Sequence, residues 1–184
     1  MISNVTLSTK ERFLLEDEKT HEEQCILKYD NYANLACDAQ LKAVFRANGQ
    51  KEREHLETIN QLLQGKVPSM AGQSQNSQGT SGQGNNQNQG NQGGVNPSQQ
   101  GMSQNSQQST VEKSSPSGFQ MNDKEMCIDM LSTEKYISGT YDTAIFEFSD
   151  AQVRDVLNHI QKEEQKHGEA IFAYMQSKGM YSTK

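Results

Sequence analysis

The sequence predicts an all-α protein, a four-helix bundle made of two duplicated helical hairpins joined by a long disordered linker. Three observations carry this. The 184-residue chain is divided by a stretch, Val67 to Val111, without a charged residue or a histidine. The flanks on either side align with each other at one fixed offset. Within each flank, apolar residues recur at helical spacing.

Overall composition bounds the answer first. The chain carries 17 Lys+Arg against 23 Asp+Glu, a formal net charge of −6, and 32% hydrophobic residues. That apolar share is below the roughly 45–50% of ordinary globular domains, so the sequence supports one core and not two. The acid excess argues against nucleic acid or an anionic membrane as partner, since clustered Lys and Arg hold those surfaces. No run of apolar residues is long enough to span a bilayer. The N-terminal MISNVTLSTKER has no apolar core of a secretory signal. Cys25, Cys37 and Cys127 are too few and too scattered for a disulfide framework or a zinc ribbon. The expectation is a protein made inside a cell.

Low hydrophobicity is concentrated in the middle. Between Ala71 and Thr110, 34 of 40 positions are Gln, Asn, Gly or Ser. Such a segment cannot bury enough apolar surface to offset its conformational entropy, so residues 66–118 are expected to form a disordered linker. Its Gln/Asn content favours self-association. Its 12 glutamines between Val67 and Val111 would also be open to enzymatic cross-linking with lysines of neighbouring proteins.

The flanks, 1–65 and 119–184, are related. At an offset of 112, residues 11–65 give 13 identities over 55 positions without a gap. They include Asp17/Asp129, Glu22/Glu134, Tyr29-Asp30/Tyr141-Asp142, Asp38-Ala39-Gln40/Asp150-Ala151-Gln152, Glu52/Glu164, His55/His167 and Ile59/Ile171. An internal duplication accounts for this.

Each copy reads as a helical hairpin. Ser8-x-x-Glu11 opens a helix over about 9–35 as a capping box, and Asp38 caps a second over about 39–64. Asn122-x-x-Glu125 opens a third over about 123–147, and Ser149-x-x-Gln152 a fourth over about 150–177. The expected seam of the first is Leu15, Glu22, Ile26, Tyr29, Ala33 and Ala36; that of the second is Phe45, Glu52, His55, Ile59 and Leu62. The third gives Cys127, Leu131, Glu134, Ser138, Tyr141, Ile145 and Phe148. The fourth gives Val153, Leu157, Ile160, Glu164, His167, Ile171 and Tyr174. Two such hairpins make one antiparallel bundle.

The seams contain unexpected polar residues. Each copy has Glu-x₆-Tyr on its first helix and Glu-x-x-His on its second. Residues three apart share a helix face, so a Glu, a His and a facing Glu can hold one cation. One Glu from each of two helices, with Glu-x-x-His from each of the other two, is the ligand pattern of di-iron and di-manganese sites in ferritin-like bundles. The candidate metal ligands are Glu22, Glu52, His55, Glu134, Glu164 and His167, expected to hold about two Fe or Mn ions; oxygen-rich ligands with imidazole suit those metals. The bland alternative is a polar network or a solvated face. It is weakened because the pair occurs twice, in register with the duplication, and because carboxylates buried without a cation are costly. Tyr29 and Tyr141 read as core residues bonded to a carboxylate, Cys25 and Cys127 as small hydrophobes, and Gly139 and Gly168 as packing positions.

A family resemblance rests on the second copy. Met130-Leu131-Ser132-Thr133-Glu134-Lys135-Tyr136, Tyr141-Asp142-Thr143-Ala144-Ile145-Phe146-Glu147, the stretch Gln161 to His167, and Met175-Gln176-Ser177-Lys178-Gly179-Met180-Tyr181 resemble the Coat F domain of bacterial spore coat proteins. The resemblance implies a ferritin-like bundle, synthesised in the mother-cell cytoplasm and deposited in the spore coat among other coat proteins. It implies no catalytic residue. The function expected from it is a structural coat component; the ligand pattern raises a second expectation, a dinuclear carboxylate protein acting on oxygen, peroxide or ferrous iron.

Overall fold

Each helix begins where the sequence supplies a side-chain oxygen to its first free N–H groups. In the computed structural model, which describes residues 3–69 and 121–181, α1 (Thr9–Leu35) starts behind Ser8. Ser8 Oγ accepts from Glu11 N at 3.2 Å while Glu11 Oε2 accepts from Ser8 N at 2.8 Å, the reciprocal capping box. Asn122 and Glu125 repeat it for α3 (Asp123–Glu147). Asp38 caps α2 (Ala39–Leu63) through the N–H groups of Gln40 and Leu41. One expectation is corrected. The cap of α4 (Ala151–Ser177) is Asp150, the duplicate of Asp38, and not Ser149. Ser149 is drawn off by α1, its N and Oγ both donating to Glu11 Oε1 at 2.9 and 3.0 Å.

These end contacts fix the helix directions. Glu11, at the start of α1, meets Ser149, just past the end of α3. At the other end, Asp123 accepts from the N–H groups of Cys37 and Asp38. So α1 and α3 are antiparallel. Lys178, after α4, pairs with Asp38, before α2, at 2.7 Å, so α2 and α4 are antiparallel too. It follows that α2 and α3 run parallel. The chain leaves α2 at one end of the bundle and begins α3 at the other, ~38 Å away for a 25-residue helix. The expected linker lies, from residue 70 to 118, outside the described residues. Residues 66 and 67 belong to the folded hairpin: β2 (Lys66–Val67) pairs antiparallel with β1 (Ser3–Asn4). Gly65 makes the turn into β2 at φ +76°, and a Cβ there would lie 2.8 Å from Val5 O.

Leu15, Leu41, Phe45, Ile59, Leu62, Met126, Met130, Leu157, Ile160 and Ile171 form the centre of the core. The expected seams of α2 and α4 are all buried. The other two need correction. On α1, Cys25 is buried where Ile26 was expected, and Glu11 and Glu18 are buried as well. On α3, Met130, Ile137 and Ala144 are buried while Leu131, Ser138 and Ile145 are only half-buried. Both helices touch two neighbours, so the buried stripe is wider than a single 4-3 seam. The glycine that lets helices approach is Gly49, where a Cβ would sit 2.9 Å from Tyr29 Cβ; Gly139 has open space around it.

Candidate dinuclear metal centre

All six expected ligands converge at the middle of the bundle. Glu22 and Glu52 are 0% exposed, Glu164 1%, Glu134 and His55 2%, and His167 4%. One from α1, two from α2, one from α3 and two from α4 are delivered by helix geometry, because Glu-x-x-His presents both side chains to the axis.

They form two overlapping sets. Glu22, Glu52, His55 and Glu164 offer ligand atoms that all lie within 4.8 Å of one another, and so do Glu52, Glu134, Glu164 and His167. Glu52 and Glu164 belong to both. Each set therefore holds one private carboxylate, one imidazole and two shared carboxylates, and the duplication exchanges one set for the other. His55 Nδ1 lies 2.9 Å from Glu164 Oε1 and 3.0 Å from Glu52 Oε2. His167 Nδ1 lies 2.9 Å from Glu52 Oε1 and 3.6 Å from Glu164 Oε2. The two rings stack at 5.6 Å between centroids.

Many of these atoms lack a hydrogen bond of good geometry despite their proximity. Glu22 Oε2, Glu52 Oε1, Glu134 Oε2, both Glu164 oxygens and His167 Nδ1 are buried without one. Unpaired buried polar atoms are rare, and each costs ~1–3 kcal/mol or more when charged. Here they cluster in one place.

The other carboxylate oxygens are held from behind. Tyr141 donates its hydroxyl to Glu22 Oε1, and Tyr29 donates to Glu134 Oε1, so each tyrosine serves the private carboxylate of the opposite copy. Asn48 Nδ2 donates to Tyr29 OH at 3.1 Å and reaches the His167 carbonyl at 3.4 Å. His55 Nε2 lies 2.9 Å from Glu163 Oε2. Glu163 has its pKa lowered to about 2, chiefly by that contact, so it accepts and the Nε2–H donates. A carboxylate fixing the outer ring nitrogen is the usual support of a metal-bound histidine.

Electrostatics shape the cluster's protons. Burial pushes Glu22 up to about 8 against the opposing contact of His55. Burial likewise raises Glu134 well above the carboxylate range, with Glu52 and Glu164 adding to it. For Glu164, burial is outweighed by His167 and His55, which hold it below the usual range. Burial disfavours a proton on His55, but Glu163, Glu164, Glu22 and Glu52 more than offset this. The same balance lifts His167 to about 12. Without a bound cation, these raised groups would gather protons that offset the site's own charge. Cys25 is buried and free, its thiol pushed up by burial and the surrounding carboxylates, and it acts as a small hydrophobe.

Sequence reasoning missed Glu163 and Asn48. The duplication placed Lys51 and Ile160 opposite them, so a search for repeated residues passes over both. It also missed Glu18, buried on α1, which accepts from Thr140 Oγ1 at 3.0 Å and lies 3.1 Å from His21 Nδ1.

The chain is 34% identical over 67 residues to the uncharacterised protein YusN of Bacillus subtilis (strain 168), a match covering 36% of this chain and 61% of that relative. The chain thus spans less than two thirds of the relative's length. No solved structure matches. No helix among the described residues is long and apolar enough to cross a membrane. The Coat F domain family matches residues 122–184, the segment that carries α3 and α4, and at family level this domain supports a structural role in the bacterial spore coat. Over residues 122–184 this chain is similar to the Coat F domain family.

Proposed function

We propose that this protein is a structural component of the spore coat whose ferritin-like bundle carries a dinuclear Fe or Mn centre. One observation supports the metal reading above the others: six buried ligand atoms of Glu22, Glu52, Glu134, Glu164 and His167 lack a hydrogen bond of good geometry, and their residues form two groups whose ligand atoms lie within 4.8 Å of one another. Two divalent ions would add four positive charges to four carboxylates and give those atoms partners. Glu22 and His55 would hold one ion and Glu134 and His167 the other, with Glu52 and Glu164 common to both sets. Such ions supply Lewis acidity and one-electron exchange toward oxygen, peroxide or ferrous iron.

The chain's own residues do the rest. Tyr141 and Tyr29 orient Glu22 and Glu134 through one oxygen and leave the other free. Glu163 fixes the His55 ring so that Nδ1 faces inward. Metal analysis after incubation with Fe(II) or Mn(II) and desalting should find about two ions per chain. A variant with both His55→Ala and His167→Ala should retain none while keeping its far-ultraviolet helicity. Failure of the native chain to retain metal would remove the reading. Localisation of a tagged chain to a spore layer other than the coat would remove the coat assignment.

A further inference from the structure

The two faces of the centre are not alike. A groove of about 650 Å³ lies between α3 and α4, and Glu134 and Glu164 are part of its lining together with Leu131, Ser138, Gly168 and Phe172. Gly168 helps keep it open: a Cβ there would only touch Leu131 Cδ1 at 3.5 Å and Glu134 Cβ at 3.9 Å. In the first copy the duplication puts half-buried Leu56 in place of Gly168 and half-buried Ile26 in place of Ser138. The opening beside His55 at the α2–α4 seam has about 10 Å³, no more than a single water needs (~10–15 Å³).

We propose that the α3–α4 groove is the route by which aqueous cations and ligands of two or three atoms reach the centre, arriving on the Glu134–His167 side. The inference rests on the dinuclear reading and adds to it a direction. Glu134 and His167 would hold the ion open to an exogenous ligand, and Glu22 and His55 would hold the enclosed one. The duplicate's own residues supply the means of closing the groove: Gly168→Leu, copying Leu56, fills it from α4, and Ser138→Ile, copying Ile26, fills it from α3.

Co(II) and azide are suitable probes, since both are read by visible absorbance independently of any turnover. The native chain should take up two Co(II), and azide should shift the spectrum. Each variant, refolded in Co(II), should also hold two ions, which reports on the site itself. Added to the folded variant, however, Co(II) should load at least tenfold more slowly, and azide should leave the spectrum unchanged. Loading and azide binding at native rates in both folded variants would overturn the route while leaving the centre intact. A native chain that binds no Co(II) would overturn the centre and the route with it. The two copied substitutions guard against misfolding of either one, and thermal melting of each identifies the usable variant.

Discussion

Replacing Glu134 by glutamine separates what the bundle needs from what a bound ion needs. Without a bound cation, burial raises the Glu134 carboxyl well above its ordinary range, which favours its uncharged form. Glutamine matches it in shape, and its carbonyl still accepts the Tyr29 hydroxyl that Glu134 Oε1 accepts. The cost without metal should stay within ~1 kcal/mol, the net worth of one altered hydrogen bond. With metal the substitution removes a charged ligand. At free metal one hundred times the dissociation constant, binding stabilises the folded state by ~2.7 kcal/mol; a hundredfold weaker site leaves ~0.4 kcal/mol. The difference, ~2.3 kcal/mol, corresponds to a fall of ~9 °C in melting temperature for a folded part of this size. Calorimetric scans in chelator and in Mn(II) measure both terms. An equal fall in the two conditions would mean that Glu134 is structural only, and the ligand assignment would be wrong.

Two further outcomes follow from the same site and from the bundle's end. Glu22, raised to about 8, and His167, raised to about 12, both keep protons in the folded state that the unfolded chain releases. Stability from raised groups is present below their unfolded values and lost as pH rises through the folded ones. Without a bound cation the protein should therefore weaken between pH ~6.5 and 8, by up to ~1.4 kcal/mol per pH unit for each proton involved. Metal-loaded protein should show a flatter or opposite slope, because ligands must shed protons to bind; parallel slopes in thermal melts would contradict this. Glu11→Ala should destabilise by ~2 kcal/mol in denaturant titrations, since it removes a capping box and both bonds to Ser149. The Glu11 carboxylate is lowered to about 2. Burial opposes that shift, and hydrogen bonds from Ser149 and Ser8 outweigh it. Its contribution is thus present above pH ~4.5 and fades toward 2, so native and variant should converge in acid.

The helices were legible because local signals agreed. Capping boxes at Ser8 and Asn122 and the aspartate caps at Asp38 and Asp150 stand at helix starts in the structure. Ser149 misled because a capping motif one residue early has the same pattern, and only the tertiary contact with Glu11 decides between them. That the six candidate residues meet in one buried cluster was legible because they repeat at one offset and fall on helical faces. Residues that support the site from one side only, Glu163 and Asn48, leave no repeat to detect. Burial of Glu18 and the close approach at Gly49 depend on which helix faces which, and a helical period does not specify that.

The divergence between the two copies bears on whether the buried polar cluster has a use. At buried apolar positions other than Ile59/Ile171 the copies have drifted: Leu15 faces Cys127 in the alignment, Cys25 faces Ile137, Leu41 faces Val153, Phe45 faces Leu157, and Leu62 faces Tyr174. Cores tolerate such exchanges when volume elsewhere compensates. Buried polar residues outside the cluster have drifted too, with Glu18 opposite Met130 and Asn48 opposite Ile160. The cluster itself has not. Glu22/Glu134, Glu52/Glu164, His55/His167 and the bracing pair Tyr29/Tyr141 are identical in both copies. If these groups served only packing, apolar replacement would be neutral or stabilising, because a buried ionisable network gives little net stability. Drift would then reach them first. Their retention, alongside a groove that reaches Glu134 and Glu164, fits a cluster whose members are constrained together while its surroundings have been free to specialise.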